Sequence, residues 1–144
     1  SGGNEIVSAA KALKKKKLLG FLADQDGYIH GLPVPFLGQP SSAVVGPATF
    51  AKKFGSPVVP IFTSRKPEGG HIVHILPPLH YNNSGDDDVD MYTLTEECVR
   101  VTEDFIREHP DEWIWFQHRW MTKMSEIVDY YKKLEIRERA HEKQ

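Results

Sequence analysis

The sequence predicts an α/β protein whose sheet is incomplete, mostly parallel and flanked by helices, with a helical C-terminus. Segments with apolar residues at helical spacing alternate with short, nearly all-apolar segments, which is typical of parallel strands covered by helices. Only three strands are predicted, and a sheet this small with apolar residues on both faces is a poor stand-alone unit. We therefore expect the sheet to lack neighbouring strands.

Composition places the 144-residue chain among ordinary soluble α/β domains, with 40% hydrophobic and 26% charged residues. The net charge of -2 argues against general nucleic-acid binding, which needs a basic surface. The single cysteine, Cys98, excludes an intrachain disulfide and fits a packed thiol in a reducing compartment. Residues 1–3 are interpreted as a cloning remnant or a frayed end, and residues 4–144 as one domain with its core in 5–125. No apolar run has the length of a membrane span, and no signal peptide is visible.

The first part of the chain predicts a helix over residues 4–17, then a buried strand over Leu18–Ala23. The basic run Lys14–Lys17 suits the negative end of that helix, where it is a solvated helix end or a contact for anionic lipid. The strand ends at Asp24–Gly27, a run of turn-forming residues. This order places polar side chains directly after a strand.

The middle of the chain predicts a Pro/Gly-rich loop over residues 27–42, followed by a helix. Ser41 or Ser42 is expected to cap this helix, which runs through Phe54. A buried strand is predicted over Pro57–Phe62. A turn then joins it to a strand over His71–Leu76 in a hairpin.

The last part predicts two long helices separated by an aromatic block. Apolar residues at alternating spacings of three and four predict a helix over Val89–His109, which Pro110 stops. Trp113–Phe116 follows, and its aromatic residues are expected mainly in the core, with a membrane interface as the alternative. A final helix is predicted over about 121–141.

Three blocks in this order resemble the late acyltransferases of lipid A assembly, within the glycerolipid acyltransferase superfamily. The first runs from Leu22 to Gly27 and continues in Val34–Gly38; the second runs from Gly46 to Pro60 and ends in Arg65; the third runs from His109 to Trp115 and continues in His118–Trp120. The resemblance covers most of this chain but only about the second half of a family member.

The resemblance implies a histidine base with an acidic residue five positions further on. The residues five positions after the first six histidines are Pro35, Leu76, Leu79, Gly85, Ile114 and Lys123, and His141 lies too near the end. The catalytic pair is therefore absent from these 144 residues. We expect it upstream of the first block, together with a phosphate-binding arginine.

Asp24 and Asp26 are the candidate catalytic residues, in a supporting role. They follow a predicted strand, and ligands bind at the carboxyl edge of an open α/β sheet. An Asp-rich turn explains the same spacing, but the resemblance implies an acidic residue in the active site here. A metal-bridging Asp-x-Asp of a glycosyltransferase is a rival, although further oxygen ligands cannot be placed.

Four other residues are candidates for substrate binding. Arg65, at a strand end, suits a phosphate or carboxylate, or is a solvated arginine. Phe36 and Leu37 are candidates for acyl-chain contact, or pack under their loop. Arg119 is a candidate for ligand contact, but its aromatic neighbours favour a buried ion pair. His118 is expected to be packed and hydrogen-bonded.

The resemblance implies transfer of a fatty acyl group from an acyl thioester, on acyl-carrier protein or coenzyme A, to a hydroxyl of a glycolipid. It requires no metal or organic cofactor, and it places the protein at the cytoplasmic face of the bacterial inner membrane. The alternatives are a non-catalytic module that binds lipid or self-associates through exposed sheet edges, and a metal-dependent glycosyltransferase. This chain alone is expected to be inactive.

Overall fold

Four helices and two short strand pairs form the structure, a computed structural model that describes residues 2–142. The elements are α1 (Gly2–Lys14), β1 (Leu32–Pro33), β2 (Ser42–Ala43), α2 (Gly46–Phe54), β3 (Ile61–Arg65), β4 (His71–Ile75), α3 (Asp87–Glu108) and α4 (Tyr130–Glu142). Single 3-10 turns cover Tyr28–His30 and Met124–Glu126. The α/β class is confirmed.

The core lies where α3 packs against α4 and against the loop that contains β1 and β2. Tyr92 and Ile106 of α3, Ile136 of α4 and Phe36 of the loop are all buried in one cluster. The apolar side chains of the Pro/Gly-rich loop are thus covered by the longest helix. The loop that follows Leu22 is therefore held in place by its packing against α3 and α4.

The helix α3 agrees with its prediction to within two residues at each end. Asp86 caps it by accepting a hydrogen bond from the Val89 amide (3.2 Å), and acidic residues fill its first turn while Arg107 is in its last. These charges suit the helix dipole at both ends. Pro110 follows the helix, as expected.

The predicted hairpin is confirmed as β3–β4, with antiparallel register from Ile61 opposite Ile75 to Arg65 opposite His71. Its first strand, however, runs over Ile61–Arg65 instead of the predicted Pro57–Phe62, and it is mostly exposed instead of buried. Its inner face carries Phe62, whose ring stacks on Phe105 of α3 at 4.5 Å. Its outer face is exposed. A five-residue connection can only join antiparallel neighbours, because parallel strands need a longer crossover.

The predicted mostly parallel sheet is not confirmed. Both strand pairs are antiparallel, and no parallel pair occurs within residues 2–142. The prediction of a buried strand over Leu18–Ala23 is wrong for this structure, since the segment is irregular and Leu18 is 99% exposed. Phe21 anchors it by packing on Phe50 of α2 at 5.6 Å. A buried apolar strand needs neighbouring strands at its edges and apolar cover on its faces. No strand in the described residues pairs with Leu18–Ala23.

Two predicted helix starts are wrong. Ser41 and Ser42 do not cap α2, which begins at Gly46; they are fully buried and donate to the carbonyls of Val34 and Tyr28. The last helix begins at Tyr130 instead of about residue 121, because the preceding residues are held by contacts with the loop around Asp26. No helix in the described part of the chain is both long and apolar enough to cross a bilayer.

Candidate active site

The segment 113–122 crosses the loop at residues 24–28 and connects it to the core. It has no regular secondary structure, and its position is fixed by side-chain hydrogen bonds to residues far away in sequence. Trp113, Gln117 and Thr122 all donate to the two aspartates predicted as site residues. The sequence prediction therefore found the acidic half of this cluster, and the structure adds the donors.

Asp26 is a structural residue in this arrangement. Its side chain is buried, with 5% of the residue exposed. Oδ1 accepts from Thr122 Oγ1 at 2.6 Å and from the Tyr28 amide at 2.7 Å, and Oδ2 accepts from the Thr122 amide at 2.9 Å. Both oxygens are thus occupied, and the carboxylate joins residues 96 positions apart.

The surroundings of Asp26 favour its charged form. Burial alone raises its pKa, but the hydrogen bonds from Thr122 and Tyr28 and the charge of Arg119 lower the pKa below its ordinary value. The carboxylate is therefore ionised at neutral pH and accepts hydrogen bonds without a proton to donate. Asp26 is therefore better suited to hold the loop and the segment 113–122 together than to donate a proton in a reaction.

Asp24 is the accessible member of the pair. Its side chain is half-buried, and its Oδ2 accepts from Trp113 Nε1 and from Gln117 Nε2, both at 3.2 Å. Both donors reach the same oxygen, so the carboxylate is oriented with Oδ1 directed away from them. Asp24 thus has the properties of an oriented acceptor at the protein surface.

Arg119 is buried beneath the two aspartates, with 1% of the residue exposed. Nη1 donates to the Ser42 carbonyl at 2.9 Å, and the guanidinium lies 4.5 Å from the centre of the Phe36 ring. Burial lowers its pKa, while the carboxylates of Asp26, Asp24 and Glu103 oppose that effect. The expected burial is confirmed.

The expected direct ion pair of Arg119 is not formed with any residue of the described chain. Nε and Nη2 have no hydrogen-bond partner within residues 2–142. Arg119 instead offsets the negative charge of Asp24 and Asp26 through space. Its hydrogen bond to the Ser42 carbonyl also holds the loop in place. Because it is enclosed, it cannot contact a substrate in this conformation.

Phe36 and Leu37 lie in different environments. Phe36 is fully buried between Trp113 and Trp120, with ring centres 5.4 and 5.7 Å away, so it contributes to the core. Leu37 is half-buried, and its amide donates to Glu103 of α3 at 2.7 Å. Of the two predicted acyl-chain contacts, only Leu37 offers surface to a ligand.

Arg65 lies at the end of β3 in a network with the residues before the crossing segment. Its Nε is 3.1 Å from Glu112 Oε2, and its Nη2 contacts both the carbonyl and the carboxylate of Asp111. The side chain is mostly exposed, so this pair contributes little stability by itself. The network ties the hairpin to the start of the segment 113–122.

Two further predictions have clear outcomes. His118 is exposed, so the prediction that it is packed is wrong. Cys98 is packed as expected, and burial raises the pKa of its thiol to about 11, so it is a thiol at neutral pH. Within residues 2–142 no three His, Cys, Asp or Glu side chains lie close enough together to hold a metal ion.

The sequence analysis missed Gln117 and Thr122 as site residues. Both lie within three positions of Arg119, close to the block His118–Trp120 but outside the residues that carry the resemblance. Their neutral side chains carry no chemical signature of their own. Only their position opposite Asp24 and Asp26 shows their role.

The sequence can now be compared with known families. A family model described as bacterial lipid A biosynthesis acyltransferase matches residues 2–122. The chain belongs to this family. The match covers the loop with Asp24 and Asp26 and also the crossing segment, so the hydrogen-bonded cluster lies within the family's region. The resemblance stated from the three sequence blocks is confirmed.

This member of the lipid A acyltransferase family is also similar to a phosphatidylinositol mannoside acyltransferase of Mycobacterium tuberculosis (strain ATCC 25618 / H37Rv). The two are 25% identical over 130 residues. The aligned stretch is 88% of this chain and 39% of the relative. The chain therefore spans well under half the length of that relative.

Proposed function

We propose that the full-length protein transfers a fatty acyl group from an acyl thioester to a hydroxyl of a lipid A-type glycolipid. The donor is acyl-carrier protein or coenzyme A carrying the acyl chain. Family membership supports acyl transfer in general. Within this chain, the observation that best supports the proposal is the half-buried carboxylate of Asp24, which Trp113 and Gln117 orient by hydrogen bonds.

In the proposed reaction, the acceptor hydroxyl oxygen forms a bond to the thioester carbonyl carbon and the carbon–sulfur bond breaks. The hydroxyl proton passes through a base to the leaving thiolate. None of the six histidines that can be tested is followed five positions later by an acidic residue, and His141 lies too near the end of the sequence, so we propose that the base lies in a part of the protein outside these 144 residues. Asp24 Oδ1 accepts a hydrogen bond from the acceptor and orients it. This chemistry requires no cofactor.

The experiment compares Asp24→Asn with wild type in the full-length protein, with Asp88→Asn as the matched control on the exposed face of α3. Acyl transfer from acyl-carrier protein and from acyl-coenzyme A is measured by mass spectrometry. We expect Asp24→Asn to lower kcat by about 100-fold, in the range of a lost positioning or acid–base group, with an unchanged melting temperature. Asp88→Asn should leave kcat unchanged.

The acceptor is tested in the same assay with two glycolipids. One is a lipid A precursor, and the other is a phosphatidylinositol mannoside, because the mycobacterial relative is named for that acceptor. Transfer should continue in the presence of a chelator; loss on chelation and recovery with manganese would support the glycosyltransferase alternative. If the full-length protein acylates neither glycolipid, the proposed function is wrong.

A second candidate function is a non-catalytic module that binds lipid or self-associates. The exposed outer face of the hairpin favours it, since Ile61, Val73 and Ile75 leave apolar surface in contact with solvent. Turnover by the full-length protein separates the two functions.

In either case we propose that the protein acts at the cytoplasmic face of the bacterial inner membrane, peripherally or through an anchor outside this chain.

A further inference from the structure

The end of α1 and the segment after it expose basic and apolar side chains next to one another. Lys14, Lys15, Lys16 and Lys17 are all exposed. Leu18 is 99% exposed and Leu22 is 72% exposed. We refer to Lys14–Lys17 with Leu18 and Leu22 as the basic–apolar surface. Scattered exposed leucines are ordinary, but here Leu18 directly follows four lysines and Leu22 lies four positions further on.

Charge is distributed unevenly between the two halves of the sequence. Residues 1–70 contain nine lysines and arginines and four acidic residues, a net charge of +5. Residues 71–144 contain nine basic and sixteen acidic residues, a net charge of -7. The basic–apolar surface therefore belongs to the part of the sequence with a net positive charge, and its lysines are attracted to an anionic surface.

A shallow apolar groove lies between α1 and α2. Ile6, Ala10 and Phe50 line it, with Lys53 at its edge, and its volume is about 120 Å³. Ile6 is itself exposed. Apolar walls beside a lysine match the two parts of an anionic lipid, an acyl tail and a charged headgroup.

We propose that the basic–apolar surface binds an anionic phospholipid bilayer. The lysines contact lipid headgroups, at roughly fivefold in affinity for each lysine near such a surface, and Leu18 and Leu22 enter the interface. Charge complementarity selects a lipid surface over a protein partner for the same leucines. Only Ala23 separates Leu22 from Asp24 in sequence, so binding brings Asp24 to the bilayer.

The catalytic value of this orientation rests on the proposed function, because a glycolipid acceptor resides in the bilayer. Phe116, 89% exposed, extends from the segment whose Trp113 and Gln117 hold Asp24. Each of the two segments that meet at Asp24 thus carries an exposed apolar side chain, Leu22 on one and Phe116 on the other. Lipid binding itself depends only on the exposed residues.

The test measures co-sedimentation of the full 144-residue chain with vesicles of phosphatidylcholine, with and without phosphatidylglycerol. Lys15→Gln/Lys16→Gln/Lys17→Gln is compared with a matched control, Lys66→Gln/Lys123→Gln/Lys132→Gln, which removes three exposed lysines elsewhere. We expect the first variant to bind anionic vesicles about 100-fold more weakly than wild type. The control should change binding by less than about threefold.

A second variant, Leu18→Ser/Leu22→Ser, tests the apolar part. It should lose the fraction of binding that persists at high salt, where lysine contacts are screened. Circular dichroism before and after heating checks that all variants fold as wild type does. Equal binding by the lysine variant and its control, or equal binding to neutral and anionic vesicles, overturns the proposal. Unchanged salt-resistant binding by the leucine variant shows that the leucines do not enter the bilayer and also overturns the proposal.

Acyl transfer by the full-length protein to a detergent-dispersed acceptor separates this proposal from the proposed function. The detergent assay needs no bilayer binding. Transfer in detergent without vesicle binding leaves the function standing and rejects the membrane surface. Vesicle binding without transfer does the reverse.

Discussion

Asp24 and Asp26 are two positions apart, and their surroundings give them different roles. Asp26 is buried and accepts hydrogen bonds at both oxygens, whereas Asp24 is half-buried and accepts at one. A substitution at Asp26 should therefore act on folding, and one at Asp24 on the reaction. The Asp-x-Asp pattern does not form a pair of equivalent carboxylates here.

Acid should destabilise the protein in part through Asp26. Its hydrogen bonds lower the pKa in the folded state, so the unfolded state binds this proton more readily. The stabilisation is fully present above the unfolded pKa, about 4, and is lost as pH falls through the folded pKa. Asp26→Asn should lower the free energy of unfolding at pH 7 by about 2 kcal/mol and flatten its dependence on acidic pH.

Urea unfolding over a series of pH values measures this effect. The exposed Asp88→Asn serves again as the control and should track wild type at every pH. If Asp26→Asn and wild type lose stability in parallel as the pH falls, the assignment of Asp26 as a folded-state lock is wrong.

In the loop beneath the segment 113–122, the backbone at Gly27 lies very close to the backbone of β2. A Cβ at Gly27 would lie 2.5 Å from the Ala43 carbonyl oxygen of β2, and the Gly27 amide donates to the neighbouring Ser42 carbonyl at 3.0 Å. Backbone atoms cannot move aside as a flexible side chain can. The loop therefore needs glycine at this position for steric reasons.

Gly27→Ala should lower the free energy of unfolding by about 1–3 kcal/mol, the usual cost of overpacking. Gly20→Ala is the matched control, because a Cβ there meets no atom within 4 Å. It should change stability by less than about 0.5 kcal/mol. Thermal unfolding followed by circular dichroism compares the two; equal melting temperatures would show that the loop can shift to admit a side chain.

The outer face of the hairpin is a property of the whole molecule, since an apolar surface in water favours association. Ile61 and Ile75 lie opposite each other and are 57% and 68% exposed, with Val73 beside them. We expect concentration-dependent association of the 144-residue chain through this face.

Ile75→Lys should shift the chain towards the monomer in sedimentation velocity, because a charge is costly to bury in an apolar contact. Tyr131→Lys is the control, since Tyr131 is 81% exposed outside the hairpin. A monomeric wild type at every concentration, or an equal effect of both variants, would exclude the hairpin face as the contact.

Local signals in the sequence were sufficient for two elements. The prediction of α3 depended on apolar spacing, an acidic first turn and Pro110, all within one stretch of chain. The hairpin depended on a short turn between two strands. The prediction for Leu18–Ala23 failed because a buried strand is defined by neighbours elsewhere in the chain, and its own residues cannot supply them.

The sequence by itself determined the family, the helix α3, the hairpin and the choice of Asp24 and Asp26 as acidic site residues. Only the tertiary structure decided which aspartate is accessible. That difference comes from Trp113, Gln117 and Thr122, which lie 89 to 96 positions away and reach the loop only when the chain is folded. Hydrogen bonds at this separation leave no periodic pattern in the sequence, because each depends on the path of the whole chain between its donor and its acceptor.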